Sequence, residues 1–234
     1  MRVFAISDLH LSLAEDKPMD IFDQVWKDYM RRIRENWIRI VGQDDLVLLP
    51  GDLSWAMYLE KSDPDFLYIE SLPGKKIISK GNHDYWWTTH SKLNKFKESL
   101  SLNSITFLQN NAYFYKDLAI VGTRGWKNPE EDDFSAEDEK IYNRELERLK
   151  LSLKLTDGFD GSRVAMLHYP PFSARGKPTG FVDVMKSFRV NICVYGHLHG
   201  KSSNMAVEGL VDGIRYHLVS ADYLKFEPLY IGEW

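Results

Sequence analysis

The sequence predicts a mixed α/β fold, because short apolar runs alternate along the chain with longer amphipathic stretches. Each short run is followed closely by a polar turn that contains glycine or histidine. With 234 residues, 44% of them hydrophobic, the chain is long enough to bury a substantial core. We find no linker, internal repeat or low-complexity tract, and therefore expect a single domain over residues 1–234.

The strand candidates are short and almost wholly apolar, which is typical of strands buried on both faces of a sheet. They cover residues 2–7, 46–49, 76–79, 163–168 and 191–195. Residues 112–115 and 118–122 predict a hairpin. Further strands are expected at residues 205–208, 214–220 and 229–231, and Asp212-Gly213 predicts a turn between the first two of these.

Two long helices follow from apolar residues that recur on one helical face. The first covers about residues 20–41 and ends at Gly42; its apolar face contains Phe22, Val25, Tyr29, Ile33 and Ile40. The second covers about residues 136–153, with Tyr142, Leu146, Leu149 and Leu153 on one face. Ser135 and Asp138 resemble a capping box at its start.

Charge and cysteine content exclude several classes of protein. The 30 basic and 34 acidic residues give a net charge of -4, so no overall field would attract nucleic acid or an anionic membrane. The acidic residues 130–133 predict a solvated loop. Cys193 has no partner for an intramolecular disulfide, and no apolar run reaches the length of a signal peptide or membrane span. We expect a cytoplasmic protein.

Metal-ligating residue types follow five of the predicted strands, where the loops of an α/β fold meet at one edge. The five segments are Asp8-Leu9-His10, Gly51-Asp52, Gly81-Asn82-His83-Asp84, His168 and Gly196-His197-Leu198-His199. Taken singly, each has a structural explanation: Asp8 could cap a helix, Asn82 could form a turn, and His168 could be a structural histidine. Five such segments at one edge indicate a metal site.

The mixture of imidazole and carboxylate suits zinc, manganese or iron better than calcium or magnesium. A carboxylate can bridge two cations. Two metal ions roughly 3.5–4 Å apart can hold a hydroxide between them and stabilise the phosphoryl oxygens of an in-line displacement, so that hydrolysis needs no protein nucleophile.

The five segments resemble, in order, the signature of the calcineurin-like metallophosphoesterase superfamily: D-x-H, GD, GNH with D or E, a single H, and GHxH. The resemblance implies a four-layered α/β/β/α sandwich of two mixed sheets flanked by helices, with the metal site at the C-terminal edge of the strands. It implies two divalent ions: the first bound by Asp8, His10 and His199, the second by Asn82, His168 and His197, with Asp52 bridging. It also implies that His83 protonates or stabilises the leaving oxygen, and that Asp84 orients His83.

Departures from subfamily patterns narrow the expected reaction. The second block, Gly51 to Ala56, lacks the arginine of phosphoprotein phosphatases, and Asp84 replaces their glutamate. His83 stands where lipid-precursor pyrophosphatases typically have arginine. We therefore expect a small, uncapped hydrolase of a small-molecule phosphate ester, a phosphodiesterase rather than a phosphomonoesterase. A catalytically inactive scaffold or binding protein of the same fold is the alternative, and the oligomeric state is open.

Three residues near the blocks are candidates for binding substrate. Trp55 and Tyr85 could stack on a flat leaving group, or they could pack the loops. Arg124 could bind a substrate phosphate through its planar guanidinium, or it could be a surface residue paired with the acidic loop 130–133.

Overall fold

The computed structural model describes residues 1–15, 17, 19–21 and 23–234. Within these residues the chain forms two mixed β-sheets with helices on their outer faces, as predicted. The strands are β1 (Arg2–Ala5), β2 (Leu46–Pro50), β3 (Lys75–Ser79), β4 (Ile105–Phe107), β5 (Tyr113–Tyr115), β6 (Leu118–Thr123), β7 (Ser162–Leu167), β8 (Ile192–Tyr195), β9 (Gly209–Val211), β10 (Ile214–Leu218) and β11 (Leu229–Glu233).

The first sheet has the strand order β11-β1-β2-β3-β4, and the second has the order β5-β6-β7-β8-β10-β9. Strands β1 to β4 are mutually parallel, and so are β6, β7, β8 and β10. The antiparallel strands β11, β5 and β9 lie at the edges. The central parallel strands of both sheets therefore send their C-terminal loops to the same edge of the sandwich.

Alternating residues of the central strands face two different cores, which explains why these strands are apolar throughout. In β1, Val3 and Ala5 face the second sheet, where they pack with residues such as Val164 and Met166 of β7. Phe4 faces outward and packs against the helices of the first sheet. Cys193 is buried in β8, as expected for a small apolar residue.

The helices are α1 (Tyr29–Ile40), α2 (Asp63–Glu70), α3 (His90–Ser99), α4 (Ala136–Lys154) and α5 (Gly180–Ser187). Helix α4 begins with the predicted capping box, because Ser135 accepts from the backbone N–H of Asp138 and the Asp138 carboxylate accepts from that of Ser135. Among the described residues, no helix is both long and apolar enough to cross a membrane.

Two of the predicted elements are wrong in extent. The first helix begins at Tyr29 rather than near residue 20, because Asp28 has a left-handed backbone with φ of 53° and interrupts the helix there. Short 3-10 turns, Met19–Ile21 and Gln24–Trp26, precede it, and Phe22 lies outside the described residues. The strand expected at 205–208 occurs instead at Gly209–Val211, since Met205 ends a 3-10 helix.

Candidate metal centre

The predicted ligands come together at the edge where the parallel strands of both sheets end. Asp8, Asp52 and Asn82 follow the adjacent strands β1, β2 and β3. His168 follows β7, and His197 and His199 follow its neighbour β8. Each sheet thus contributes neighbouring loops to one cluster of side chains.

Close approach of the loops explains two of the glycines in the sequence blocks. A Cβ atom on Gly81 would overlap the carboxylate and the backbone nitrogen of Asp52, and one on Gly196 would overlap the carboxylate of Asp8. A side chain at either position would displace a carboxylate of the cluster. Glycine is therefore required here by space.

The backbone of four candidate ligands lies in the left-handed region. The φ angles are 58° at Asp8, 45° at His10, 52° at Asp52 and 73° at His197. Such conformations cost about 1–3 kcal/mol each in a residue other than glycine and concentrate at functional sites. These sharp turns bring the four side chains into the cluster.

Asp8, His10 and His199 form the first group. The Asp8 Oδ1 atom lies 3.1 Å from His199 Nε2, and His199 Nε2 lies 3.4 Å from His10 Nε2. Ser220 Oγ donates to Asp8 Oδ2 at 3.1 Å, and the backbone N–H of His197 also donates to this carboxylate. The Asp8 carboxylate is thereby fixed, and one of its oxygens faces the two imidazoles.

Asn82, His168 and His197 form the second group. The Asn82 Oδ1 atom lies 2.6 Å from His168 Nε2 and 2.9 Å from His197 Nδ1. Asp52 lies between the two groups, because its Oδ2 atom is 3.5 Å from His168 Nε2 and 3.9 Å from His10 Nε2. This arrangement gives two sets of His and Asp atoms that lie close enough to hold a metal ion. One set is Asp8 with His10 and His199, and the other is Asp8 with Asp52 and His168.

The protonation of His168 tests whether this arrangement fits a cation. Its Nδ1 atom lies 3.1 Å from the carbonyl oxygen of Pro50, which can only accept a hydrogen bond. Burial lowers the pKa of His168 to about 3, so the ring is neutral with its proton on Nδ1. The lone pair on Nε2 then points at the Asn82 amide oxygen, which is also an acceptor. A cation between these atoms would relieve their repulsion.

Burial affects the other imidazoles similarly. It lowers the pKa of His197 to about 4 and that of His10 well below its usual value, so both rings offer lone pairs at neutral pH. His199 differs: burial opposes its charge, but Asp8 and a hydrogen bond to Asp222 raise its pKa to about 10. The Asp222 carboxylate accepts from His199 Nδ1 at 2.8 Å, which leaves Nε2 directed at Asp8 and His10.

Asp222 is a contributor that the sequence did not reveal. It follows Ala221 beyond the end of β10 and belongs to none of the five blocks. Besides holding His199, it accepts from the backbone N–H of Gly200 at 2.8 Å. The only signal available was its position after a predicted strand.

The Asp84 carboxylate makes no hydrogen bond to His83 among the described residues, and the orienting role that the resemblance implies stays a prediction. This buried carboxylate instead accepts backbone N–H groups of Gly81 at 2.7 Å and of Asp52 and Leu53 at 2.9 Å each. Burial raises the pKa of Asp84 to about 6, although these donors oppose the shift. Asp84 therefore ties the loop of Asp52 to the loop of Asn82.

His83 lies half-buried beside the first group. Its ring centroid is 5.8 Å from that of His10 and 4.6 Å from that of Trp55. Its backbone N–H donates to Asp52 Oδ1 at 2.8 Å, and its Nδ1 atom has no hydrogen-bond partner among the described residues. Burial lowers its pKa, and the nearby Lys17 lowers it further.

Of the candidate substrate-binding aromatics, only Tyr85 is accessible. The Trp55 ring is 9% exposed, stacks on His10 at 4.7 Å and lies under the ammonium of Lys17. Trp55 therefore packs within the loop, and its substrate-binding role stays a prediction. Tyr85 is 54% exposed, and its ring lies 6.1 Å from that of His83.

Arg124 is not paired with the acidic loop 130–133, so that alternative is wrong. Its guanidinium lies 3.5 Å from Glu145 of α4 and over the ring of Trp126. The loop itself is exposed, as predicted. A cavity of about 280 Å³ borders His197 and is lined in part by Trp126, Tyr169, Phe172 and Met205.

Comparison with known proteins identifies the family. The family model described as calcineurin-like phosphoesterase matches residues 1–201, and the chain belongs to this family. Together with the candidate metal-binding clusters, membership supports a metal-dependent phosphoesterase. Among curated proteins, none matches the chain.

Solved structures share the fold at low sequence identity. The phosphopantetheinyl hydrolase of Mycobacterium tuberculosis superposes with a TM-score of 0.60 and 14% identity, over 98% of this chain and 95% of that chain. A protein of unknown function from Aquifex aeolicus superposes with a TM-score of 0.51 and 15% identity, again over 98% of this chain and 95% of that chain. These similarities show the fold alone.

Proposed function

From membership of the calcineurin-like phosphoesterase family, we propose that this protein hydrolyses a small-molecule phosphodiester with two divalent metal ions. Asp8, His10 and His199 would hold one ion, and Asn82, His168 and His197 the other, with Asp52 shared between them. Mixed imidazole, carboxylate and amide donors suit manganese, iron or zinc. When bound, such a pair supplies an activated water and positive charge for the phosphoryl oxygens.

The position of Asp52 is the observation that carries this proposal. Its Oδ2 atom lies within 4 Å of an imidazole nitrogen from each group, His10 on one side and His168 on the other. Its Oδ1 atom is held by the backbone N–H of His83. A single carboxylate placed between His10 and His168, whose rings are both neutral at neutral pH, is suited to a shared ligand.

His83 is the proposed proton donor to the leaving oxygen. It lies beside His10, outside both ligand groups, and its ring is half-buried. Its Nδ1 atom makes no hydrogen bond within the described part of the chain, so no carboxylate fixes its protonation. The substrate's developing negative charge would favour the imidazolium form.

The cavity beside His197 supports an organic substituent on the phosphate. Its aromatic wall, formed by Trp126, Tyr169 and Phe172, suits a flat or apolar group, and its volume of about 280 Å³ suits a small molecule. A second substituent is what distinguishes a diester from a monoester. The phosphopantetheinyl hydrolase shares only the fold, so its substrate is one compound to include in a screen.

The test is hydrolysis of bis(p-nitrophenyl) phosphate and p-nitrophenyl phosphate by protein reconstituted with Mn²⁺, Fe²⁺ or Zn²⁺. We expect faster turnover of the diester, and losses of at least about a hundredfold in Asp52→Asn and His83→Ala with unchanged melting cooperativity. Asp157→Asn and His90→Ala, outside the ligand loops, are matched controls. Preference for the monoester would reverse the substrate class, and full activity in Asp52→Asn would refute the mechanism.

An inactive scaffold remains the alternative function. It predicts that no phosphate ester in a broad panel is hydrolysed by the metal-loaded protein, although metal still binds. The complete set of candidate ligands and the retained His83 favour the enzyme.

We further propose that residues 1–234 form one domain and that the protein acts in the cytoplasm. Strand β11 pairs with β1, which joins the two ends of the chain in one sheet. The buried thiol of Cys193 needs no oxidising compartment. A single cooperative unfolding transition and fractionation of the native cell would test these two points.

A further inference from the structure

A second pocket, distinct from the cavity beside His197, lies between the loops after β3, β4 and β6 and one side of α4. It has a volume of about 310 Å³. Its polar lining includes Lys80, Thr89, Gln109, Arg124, Glu145 and Arg148. None of these residues belongs to the proposed ligand set.

Positive charge dominates this pocket, although the whole chain has a net charge of -4. Lys80, Arg124 and Arg148 face it, against the single carboxylate of Glu145. Arg148 donates to Glu145 Oε1 at 2.6 Å, and the hydroxyl of Thr123 occupies the other oxygen. The single negative charge of Glu145 is therefore shared between Arg148 and Arg124 and leaves a net positive charge among these residues.

Two of these cations lack full partners within the described residues. Arg124 reaches Glu145 only at 3.5 Å, and its buried Nε–H has no acceptor. The Arg124 side chain is only 13% exposed, so water screens it weakly. Lys80 makes no ion pair with any described residue. Such incompletely paired, partly buried donors favour binding of an anion.

Two of the residues that line the pocket are directly connected to loops of the metal centre. Lys80 directly precedes Gly81 and Asn82 in the loop after β3. The carbonyl oxygen of Arg124 accepts from the backbone N–H groups of His168 at 3.0 Å and Tyr169 at 2.9 Å. An extended substrate bound at the metals could therefore place its far end in this pocket.

We propose that the pocket of Lys80, Arg124 and Arg148 binds a phosphate group, supplied by the substrate as a second phosphate. Two guanidinium groups and an ammonium group match the oxygens of a phosphate. The threonine hydroxyls at residues 88 and 89, where α3 begins, could add neutral donors. The source in the substrate rests on the proposed phosphodiesterase function, whereas binding of the group itself does not.

The first experiment measures binding without catalysis. The metal-loaded protein is titrated with inorganic phosphate in a calorimeter, and so are the variants Arg148→Gln and Lys80→Gln. The unmodified protein should show one phosphate-binding event more than either variant. Arg31→Gln removes an exposed cation that pairs with Asp28 and Glu35, and it should behave as the unmodified protein. Lys80→Gln is included in case Arg148→Gln fails to fold.

The second experiment locates the source of the phosphate. Two phosphodiesters are compared, each with p-nitrophenol as one alcohol and a diol as the other. The free end of the diol is a hydroxyl in the first substrate and a phosphate in the second. In Arg148→Gln or Lys80→Gln, which each remove one charge-assisted contact, KM should rise about tenfold for the substrate that ends in a phosphate and stay unchanged for the one that ends in a hydroxyl. An additional phosphate site without this KM effect would assign the pocket to free phosphate.

The outcomes separate this proposal from the proposed function. Absence of both the additional site and the KM effect would overturn the assignment of the pocket. If no diester is hydrolysed but the additional phosphate site is present and lost in Arg148→Gln, the pocket stands and the phosphodiesterase function fails.

Discussion

Replacement of Asp84 by asparagine tests whether this residue acts by holding two loops together. An amide has the same shape, but one of its two polar ends can only donate a hydrogen bond. In the structure both oxygens of Asp84 accept: one from Gly81 and Asp52, the other from Leu53. Whichever way the amide is oriented, at least one buried N–H loses its acceptor and meets another donor.

The expected cost follows from these contacts. A buried donor left without a partner costs about 1–3 kcal/mol, and the remaining bonds lose the strength that the charge provides. The free energy of unfolding should therefore fall by about 3 kcal/mol. For a chain of this length that corresponds to a melting temperature about 6–12 °C lower. Activity should fall as well, because the loops of Asp52 and Asn82 lose their common anchor.

Calorimetric melting and urea unfolding of Asp84→Asn, with the exposed Asp157→Asn as control, measure this effect. The contrasting hypothesis is that Asp84 acts through His83, as the family resemblance implies. In that case Asp84→Asn would melt within about 1 °C of the control, and its main defect would be a shifted pH–rate profile that disappears in the His83→Ala background. That result would refute the structural role.

The remaining predictions concern space, metal and charge. Gly81→Ala should lose most of its activity, because the added methyl group overlaps Asp52. Gly158→Ala meets no atom within 4 Å and should retain its activity, although the φ of 76° at Gly158 makes this variant less stable. Equal rates of the two variants would exclude the steric explanation. Chelation of the metal should lower the melting temperature by about 5–10 °C, which is the expected effect of removing a ligand present at about a hundred times its Kd. Added Mn²⁺ should restore the melting temperature. An unchanged melting curve would contradict stabilisation by bound metal. Burial lowers the pKa of Lys76 to about 8, below its value in the unfolded chain, so the folded state carries a costly charge below that pH. The free energy of unfolding should therefore rise between about pH 8 and 10, by about 2 kcal/mol after allowance for solvent screening, and Lys76→Met should lack this rise in urea titrations.

Strands were predictable because burial on both faces leaves an uninterrupted apolar run. Residues 46–49 and 191–195 correspond closely to β2 and β8 for this reason. Short helices were missed, as with α2 and α5, because eight residues give little room for a helical period to show. The first helix was predicted to begin too early, because its apolar pattern continues on the N-terminal side of Asp28, where the backbone interrupts the helix.

The ligand blocks were visible because each combines a strand end with a distinctive residue. The residues that surround these blocks in the structure could not be recognised from the sequence. Asp222 lies in no block, and the contact of Asp84 with backbone rather than with His83 depends on how two loops pack. Arg124 was recognised as a candidate, but its neighbours Lys80 and Arg148 come from distant segments that only the fold brings together.

The dependence of activity on the number of bound metal ions tests the central proposal most directly. Metal-free protein is titrated with Mn²⁺, and the rate of bis(p-nitrophenyl) phosphate hydrolysis is followed against the measured Mn²⁺ content per chain. We predict that the rate reaches its maximum at two ions per chain and that Asp52→Asn, with its shared carboxylate removed, shows no comparable rise. Full activity with one ion, or with none, would contradict a dinuclear centre.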